Sequence, residues 1–152
     1  MAGMLLSATS GERSLVAATA QTVLQVVAPA NQRLKIRQIK VLGKQSAGGT
    51  DQPAKMRLTR STGSFGTRTA VTPGKFDPGS AETVQSTAFS TFTVEPTSPA
   101  DLGDWSEVQL QVGLILPFPP GMEVIIPGGN ALNVELTAPA SATVVVTVYY
   151  EE

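Results

Sequence analysis

Carboxylates, hydroxyls, amines and guanidines must carry any side-chain chemistry in this 152-residue chain, because it contains no cysteine and no histidine. That absence removes disulfides, zinc-ligand sets, haem ligation through His or Cys, Cys nucleophiles and Ser-His triads. Asp101, Asp104 and Glu107 are hard oxygen donors at the close spacing a calcium ion favours. The Asp-x-Asp-x-Asp-Gly loop pattern is missing around them, so they read as a solvated turn. A glycosidase pair among the twelve acids would be set by the fold rather than by spacing, and no spacing selects one. Gly43-Lys44-Gln45-Ser46 lacks the earlier glycine of a phosphate-cradling loop. Trp105, the single tryptophan, could serve a sugar platform, but such platforms recruit several rings; Trp105, Phe89, Phe92 and Phe118 are assigned to core or rim packing. The expectation is a protein that is not an enzyme, with no metal and no cofactor.

The elements that would position these groups are strands. Hydrophobic residues make up 41% of the chain, aromatic ones 5% and charged ones 15%, the last well below the roughly 25% of an average domain. Serine and threonine fill the difference, and Thr (17) and Val (16) favour strands through their branched Cβ. Runs with period-two alternation lie at 22–27, 33–42, 55–60, 67–72, 84–94, 107–116, 122–126, 132–137 and 143–150, separated by glycine and proline clusters. In Leu34-Lys35-Ile36-Arg37-Gln38-Ile39-Lys40-Val41 the apolar parity changes, which a β-bulge near Arg37-Gln38 would absorb. Val108, Leu110 and Val112 are expected on one face of a single strand. Ile126-Pro127-Gly128-Gly129-Asn130 is expected to close a hairpin joining Val124 to Val134. The loops 46–53, 61–66 and 96–104 are the long connections.

This pattern predicts an all-β, jelly-roll-like antiparallel β-sandwich with an extended N-terminal arm. Residues 1–14, rich in Ser, Gly and Thr, form the arm, and residues 15–152 form a single sandwich domain. Met1-Ala-Gly-Met-Leu-Leu has no basic n-region, so synthesis in a cytoplasm without a secretory signal is expected. The most apolar stretch, 112–118, is broken by Gly113 and Pro117, which supports no membrane span.

All eleven basic residues fall between Arg13 and Lys75, so the first 75 residues sum to +9 against Glu12 and Asp51, and the remainder sums to −10. Two readings stand. Copies of the chain could meet through opposite charges, or the strands of a Greek key could bring Lys35, Arg37, Lys55 and Arg57 beside Glu107, Glu123 or Glu135 within one chain. The cluster from Arg33 to Lys44 has no interleaved aromatic for base stacking, which argues against nucleic acid as a partner. Tyr149 and Tyr150 must face opposite sides of the last strand, one inward and one toward a subunit contact. Candidate interface residues are therefore Arg33, Lys35, Arg37, Lys40, Lys44, Trp105, Tyr149 and Tyr150.

The segment from Pro119 through Pro-Gly-Met-Glu-Val-Ile-Ile-Pro-Gly-Gly-Asn-Ala-Leu-Asn-Val-Glu-Leu-Thr-Ala to Pro139, followed by residues 142–152, resembles the end of small jelly-roll virion proteins of tailed bacteriophages. The nearest similarity is to head decoration, or cement, proteins. Gln32-Arg-Leu-Lys-Ile-Arg-Gln-Ile-Lys-Val looks like the first long strand of such sandwiches, and the pattern extends over residues 20–152. The resemblance implies a homo-oligomer, dimer or trimer, on the outer capsid surface. It would contact the major capsid protein through the arm and the strand 33–44 and hold capsomers together. Two other expectations are a carbohydrate- or receptor-binding tail head using Trp105, and another tail or neck structural protein.

Overall fold

The computed structural model describes residues 3–45, 52–97 and 100–152, with only the backbone at positions 45, 100 and 104–106. Its strands are β1 (Leu5–Thr9), β2 (Arg13–Leu15), β3 (Ala20–Val27), β4 (Leu34–Gln45), β5 (Ala54–Thr62), β6 (Thr67–Val71), β7 (Gly74–Lys75), β8 (Thr87–Val94), β9 (Ala100–Val108), β10 (Leu114–Pro117), β11 (Val124–Ile126), β12 (Asn130–Thr137) and β13 (Ala142–Glu151). There is no helix among the described residues, and so none long and apolar enough to cross a membrane.

The strands form two antiparallel sheets. One runs β10-β4-β13-β1-β7, with β11 also on β4 and β2 also on β13; the other runs β6-β8-β3-β12-β5-β9. With the excursion β6 to β8 set aside, β1/β2, β4, β10/β11 and β13 interleave in sequence with β3, β5, β9 and β12 of the opposite sheet. That order is compatible with a jelly roll. The core lies between the sheets: Ile36, Ile39, Val146 and Val148 from one meet Leu24, Met56, Leu132 and Val134 from the other. In β13 the alternation is complete, with Ala142, Val144, Val146, Val148 and Tyr150 inward.

The bulge expected near Arg37-Gln38 is present. Tyr149 of β13 stands opposite Gln38 and Tyr150 opposite Ile36, so Arg37 is the extra residue and both Ile36 and Ile39 point inward.

Four expectations are corrected. The segment 1–14 is not an arm: Leu5–Thr9 pairs with residues 147–151 of β13, and Arg13–Leu15 pairs with 142–144. Leu6 and Ala8 share the inward face and Leu15 joins them, so the segment is held by burial as well as by backbone pairing. The run 107–116 is not one strand. Gly113, at φ 82°, donates to the Gln109 carbonyl at 2.8 Å and closes a turn after Val108, which leaves Val112 80% exposed. The turn at 127–130 is not a hairpin, because β11 pairs with β4 and β12 with β3 and β5, so it carries the chain between sheets. Gly128 is required there, since a Cβ would lie 2.7 Å from the Ala30 carbonyl oxygen. The connection 96–104 is shorter than expected because β9 begins at Ala100, and most of the loop 46–53 lies outside the described residues.

Because Leu6 is fully buried, Leu6→Ala is expected to destabilise the fold by about 2–5 kcal/mol. Urea unfolding checks this; a loss within experimental error would return the segment to the role of a free arm.

Candidate interaction surface

The bulged strand β4 turns Lys35, Arg37, Lys40 and Lys44 toward the outside of its sheet, with Arg33 exposed just before it. Arg37, freed from regular pairing at the bulge, binds two carboxylates. Its Nε donates to Glu151 Oε2 at 3.1 Å, its Nη2 reaches the same oxygen, and its Nη1 reaches Glu123 Oε1. Lys35 Nζ lies 3.7 Å from Glu151 Oε1. Backbone N–H groups complete the arrangement, Gly3 donating to Glu151 at 3.1 Å and Gly121 to Glu123 at 2.7 Å. The hydrogen bond from Arg37 is the main reason the Glu151 carboxyl sits below its ordinary value. For Glu123 the backbone donors come first and the two cations add to them.

In the second sheet Arg57 holds Asp101 at 2.6 Å and lies 3.7 Å from Glu135. Burial pushes the Glu135 carboxyl up in spite of Arg57. These ion pairs all join a cation from the first 75 residues to an acid from the rest. Neutralisation within the chain therefore accounts for Lys35, Arg37 and Arg57. Asp101 and Glu107 belong to the edge strand β9 rather than to a loop, and no cluster of acids suited to a metal occurs among the described residues.

The tyrosines divide as their parity requires. Tyr149 faces outward, its ring 5.7 Å from Phe76 at 63°, an edge-to-face contact. Tyr150, a candidate contact from sequence, is instead fully buried. Its hydroxyl is 3.0 Å from Ser86 Oγ, which donates to Glu152 Oε2 at 2.6 Å, so the phenol donates to the serine oxygen. Burial pushes the Tyr150 phenol up to about 12. Trp105 does not join these residues: its backbone pairs with Met56 in the opposite sheet, and its side chain lies outside the described atoms.

The two sheets differ in what covers their outer faces. On the second, Gln25, Thr59, Ser61 and Asn133 are buried although they point away from the core. They bond one another, Gln25 Nε2 to Asn133 Oδ1 at 2.6 Å and Asn133 Nδ2 to Thr59 Oγ1 at 3.1 Å and Ser61 Oγ at 2.5 Å. The Phe65 carbonyl reaches Gln25 at 3.5 Å, and Arg68 stacks 3.7 Å over Phe89, which is opposite Gln25. On the first sheet, Thr143, Val145, Thr147 and Tyr149 of β13 are only half-buried. Of the nine large apolar residues exposed among the described ones, Leu5, Leu42, Phe76, Val112, Ile115, Met122 and Ile125 belong to that sheet's strands or adjoining turns. The sequence names Lys35 and Arg37 as interface candidates and sends one of the two tyrosines outward without saying which; Ile115, Ile125 and Phe76 are missed because nothing local says which strands lie at an edge.

A groove of about 560 Å³ beside Lys55, Glu107 and Pro139 lies away from this face. The chain was compared with protein-family models, curated proteins and solved structures, and it matches none of them.

Two outcomes test the polar assignments. Arg37→Met is expected to lower the urea midpoint at neutral pH. Because the folded values of Glu123 and Glu151 lie below the ordinary 4.5, the difference should be complete above that pH and fade as pH falls through the folded values. A gap that persists in acid would assign the loss to the arginine stem. Tyr150→Phe should cost about 0.5–1.5 kcal/mol. The folded Tyr150 phenol is raised from 10.0 to about 12, so its stabilisation is present below 10.0 and is lost as pH rises through about 12. Absorbance titration of the wild type beside the variant reads this directly.

Proposed function

We propose that the chain is a structural virion protein, a head decoration or cement protein of a tailed bacteriophage. In this reading it works as a homo-oligomer that binds the major capsid protein on the outer capsid surface and holds neighbouring capsomers together. It is made in the host cytoplasm and acts by geometry, without catalysis. The observation that carries the reading is the bare outer face of the β10-β4-β13-β1-β7 sheet, with Ile115 60% and Met122 73% exposed. A face whose middle row is threonine, valine and tyrosine suits contact with protein, where apolar area removed from water is worth roughly 25 cal/mol per Å². The resemblance of residues 119–139 and 142–152 to the ends of phage jelly-roll proteins supports the same reading. The tightly alternating core and the ion pairs within each sheet suit a small rigid block repeated many times on a shell.

An antibody raised against the chain should label the outside of heads in virions from its source at fixed stoichiometry. Heads stripped of the chain should open at lower temperature, with recovery when purified chain is added back. Absence from purified virions would overturn the proposal, and label confined to tails would move the protein to another part of the particle.

A further inference from the structure

The outer face of the β10-β4-β13-β1-β7 sheet carries two apolar clusters of opposite charge at diagonal corners. At one, Leu42 lies opposite Val145 near the start of β13, Ile115 lies opposite Lys40, and Lys44 lies opposite Thr143. Neither Lys40 nor Lys44 is paired with a carboxylate among the described residues. At the other corner, across β13 and toward its end, Leu5 lies opposite Glu151 and Phe76 packs on Tyr149. Here Leu5, Phe76, Asp77 and Glu82 line one cleft of about 260 Å³. Among the described residues the Asp77 carboxylate accepts only from the Gly79 N–H of its own turn, at 2.9 Å, and no cation reaches the Glu82 carboxylate; Lys75 Nζ donates instead to the backbone carbonyls of Ser80, at 3.1 Å, and Glu82, which leaves the corner acidic by one charge over Lys75, Asp77 and Glu82. Between the corners runs the neutral row Thr143, Val145, Thr147 and Tyr149.

We propose that a second copy of this chain docks on this face, sheet against sheet, about a two-fold axis lying in the interface. With that axis perpendicular to the line joining the two corners, the basic corner of each copy meets the acidic corner of the other, so the contact is made twice. Opposite corners of one face are self-complementary in this way, whereas a face of one sign would repel its own copy. The strands of this sheet, at about 3.4 Å per residue and about 4.8 Å apart, cover roughly 640 Å². That lies within what each partner buries in a specific interface, about 600–1,000 Å². The inference uses the face named above but not the virion reading: solution mass tests it, and labelling of particles tests the other.

Sedimentation of the whole chain at micromolar concentration should give twice the chain mass at low salt, weakening as salt rises. The double variants Lys40→Glu/Lys44→Glu and Asp77→Lys/Glu82→Lys should each bind their own kind about tenfold or more weakly, with unchanged circular dichroism. Mixing the two should restore a dimer, because every corner then meets its opposite. A wild-type monomer, a dimer indifferent to both reversals, a mixture that stays monomeric, or a trimer or larger ring would each overturn the proposal.

Discussion

Everything in this fold hangs on β13. It pairs with β4 along its length on one side and with both β1 and β2 on the other, and its inward row of Ala142, Val144, Val146, Val148 and Tyr150 forms one wall of the core. A strand whose valines alternate inward can hold only one register when one of its faces is buried, since a slip of one residue would turn Val144, Val146 and Val148 to solvent. Registers of β1, β2 and β4 follow from that of β13. The bulge at Arg37 follows too, because Ile36 and Ile39 can both reach the core beside a strictly alternating partner only if one residue between them is left out of the pairing. The rim of the core is closed by Tyr150, Ser86 and Glu152, where the carboxylate also accepts the N–H groups of Gln85 at 2.8 Å and Ser86 at 3.0 Å.

The charge pattern gains its meaning from the same topology. Cations early in the chain and acids late in it form an extreme separation along the sequence, yet the connections between strands place β4 beside β11 and β13, and β5 beside β9 and β12. Long-range strand pairing therefore turns a polar sequence into paired sheets. Exposed ion pairs contribute little to stability, so what Arg37 and Arg57 chiefly supply is orientation. Arg37 links the short edge strand β11, through Glu123, to the strand at the centre of the sheet, through Glu151. The cations of β4 left over, Lys40 and Lys44, sit where its neighbours present Ile115, Thr147 and Thr143 rather than an acid.

Local pattern and long-range pairing were not equally legible. Alternation in 22–27, 55–60, 132–137 and 143–150 located the strands, and the parity change in 34–41 located the bulge, because both are written within a few residues. Partners were not written there. Pro127-Gly128-Gly129-Asn130 looked like a hairpin because tight turns within a sheet and crossings between sheets ask for the same residues. Leu5–Thr9 looked like part of an arm because two inward residues, Leu6 and Ala8, give a weak periodic signal, and only the open edge of β13 makes them a strand. Val112 continued the alternation of Val108 and Leu110 on paper, but Gly113 and the hydrogen bond from Gly43 to the Leu110 carbonyl, 3.0 Å, end that strand. Tyr149 and Tyr150 could be told apart only once the side of the sheet was known.

The contrast between the two outer faces points to where the molecule meets others. Asn133, Gln25, Thr59 and Ser61 are polar groups that would be costly to bury alone, and their mutual hydrogen bonds under the turn around Phe65 cover that face from within one chain, with only Gln25 Oε1 of this group left without a partner among the described residues. Nothing among the described residues plays that part on the first sheet. Its middle row is threonine and valine, its corners expose Leu42, Ile115, Leu5 and Phe76, and its most strongly paired charges are already satisfied. A sheet face that stayed in water would be expected to carry its charge in the middle and leave few apolar side chains bare. Here the polar covering has been built on one face and withheld from the other, and the bare face also carries opposite charge at opposite corners. Exposure alone would fit many partners; exposure joined to a charge pattern that complements itself favours a copy of the same chain.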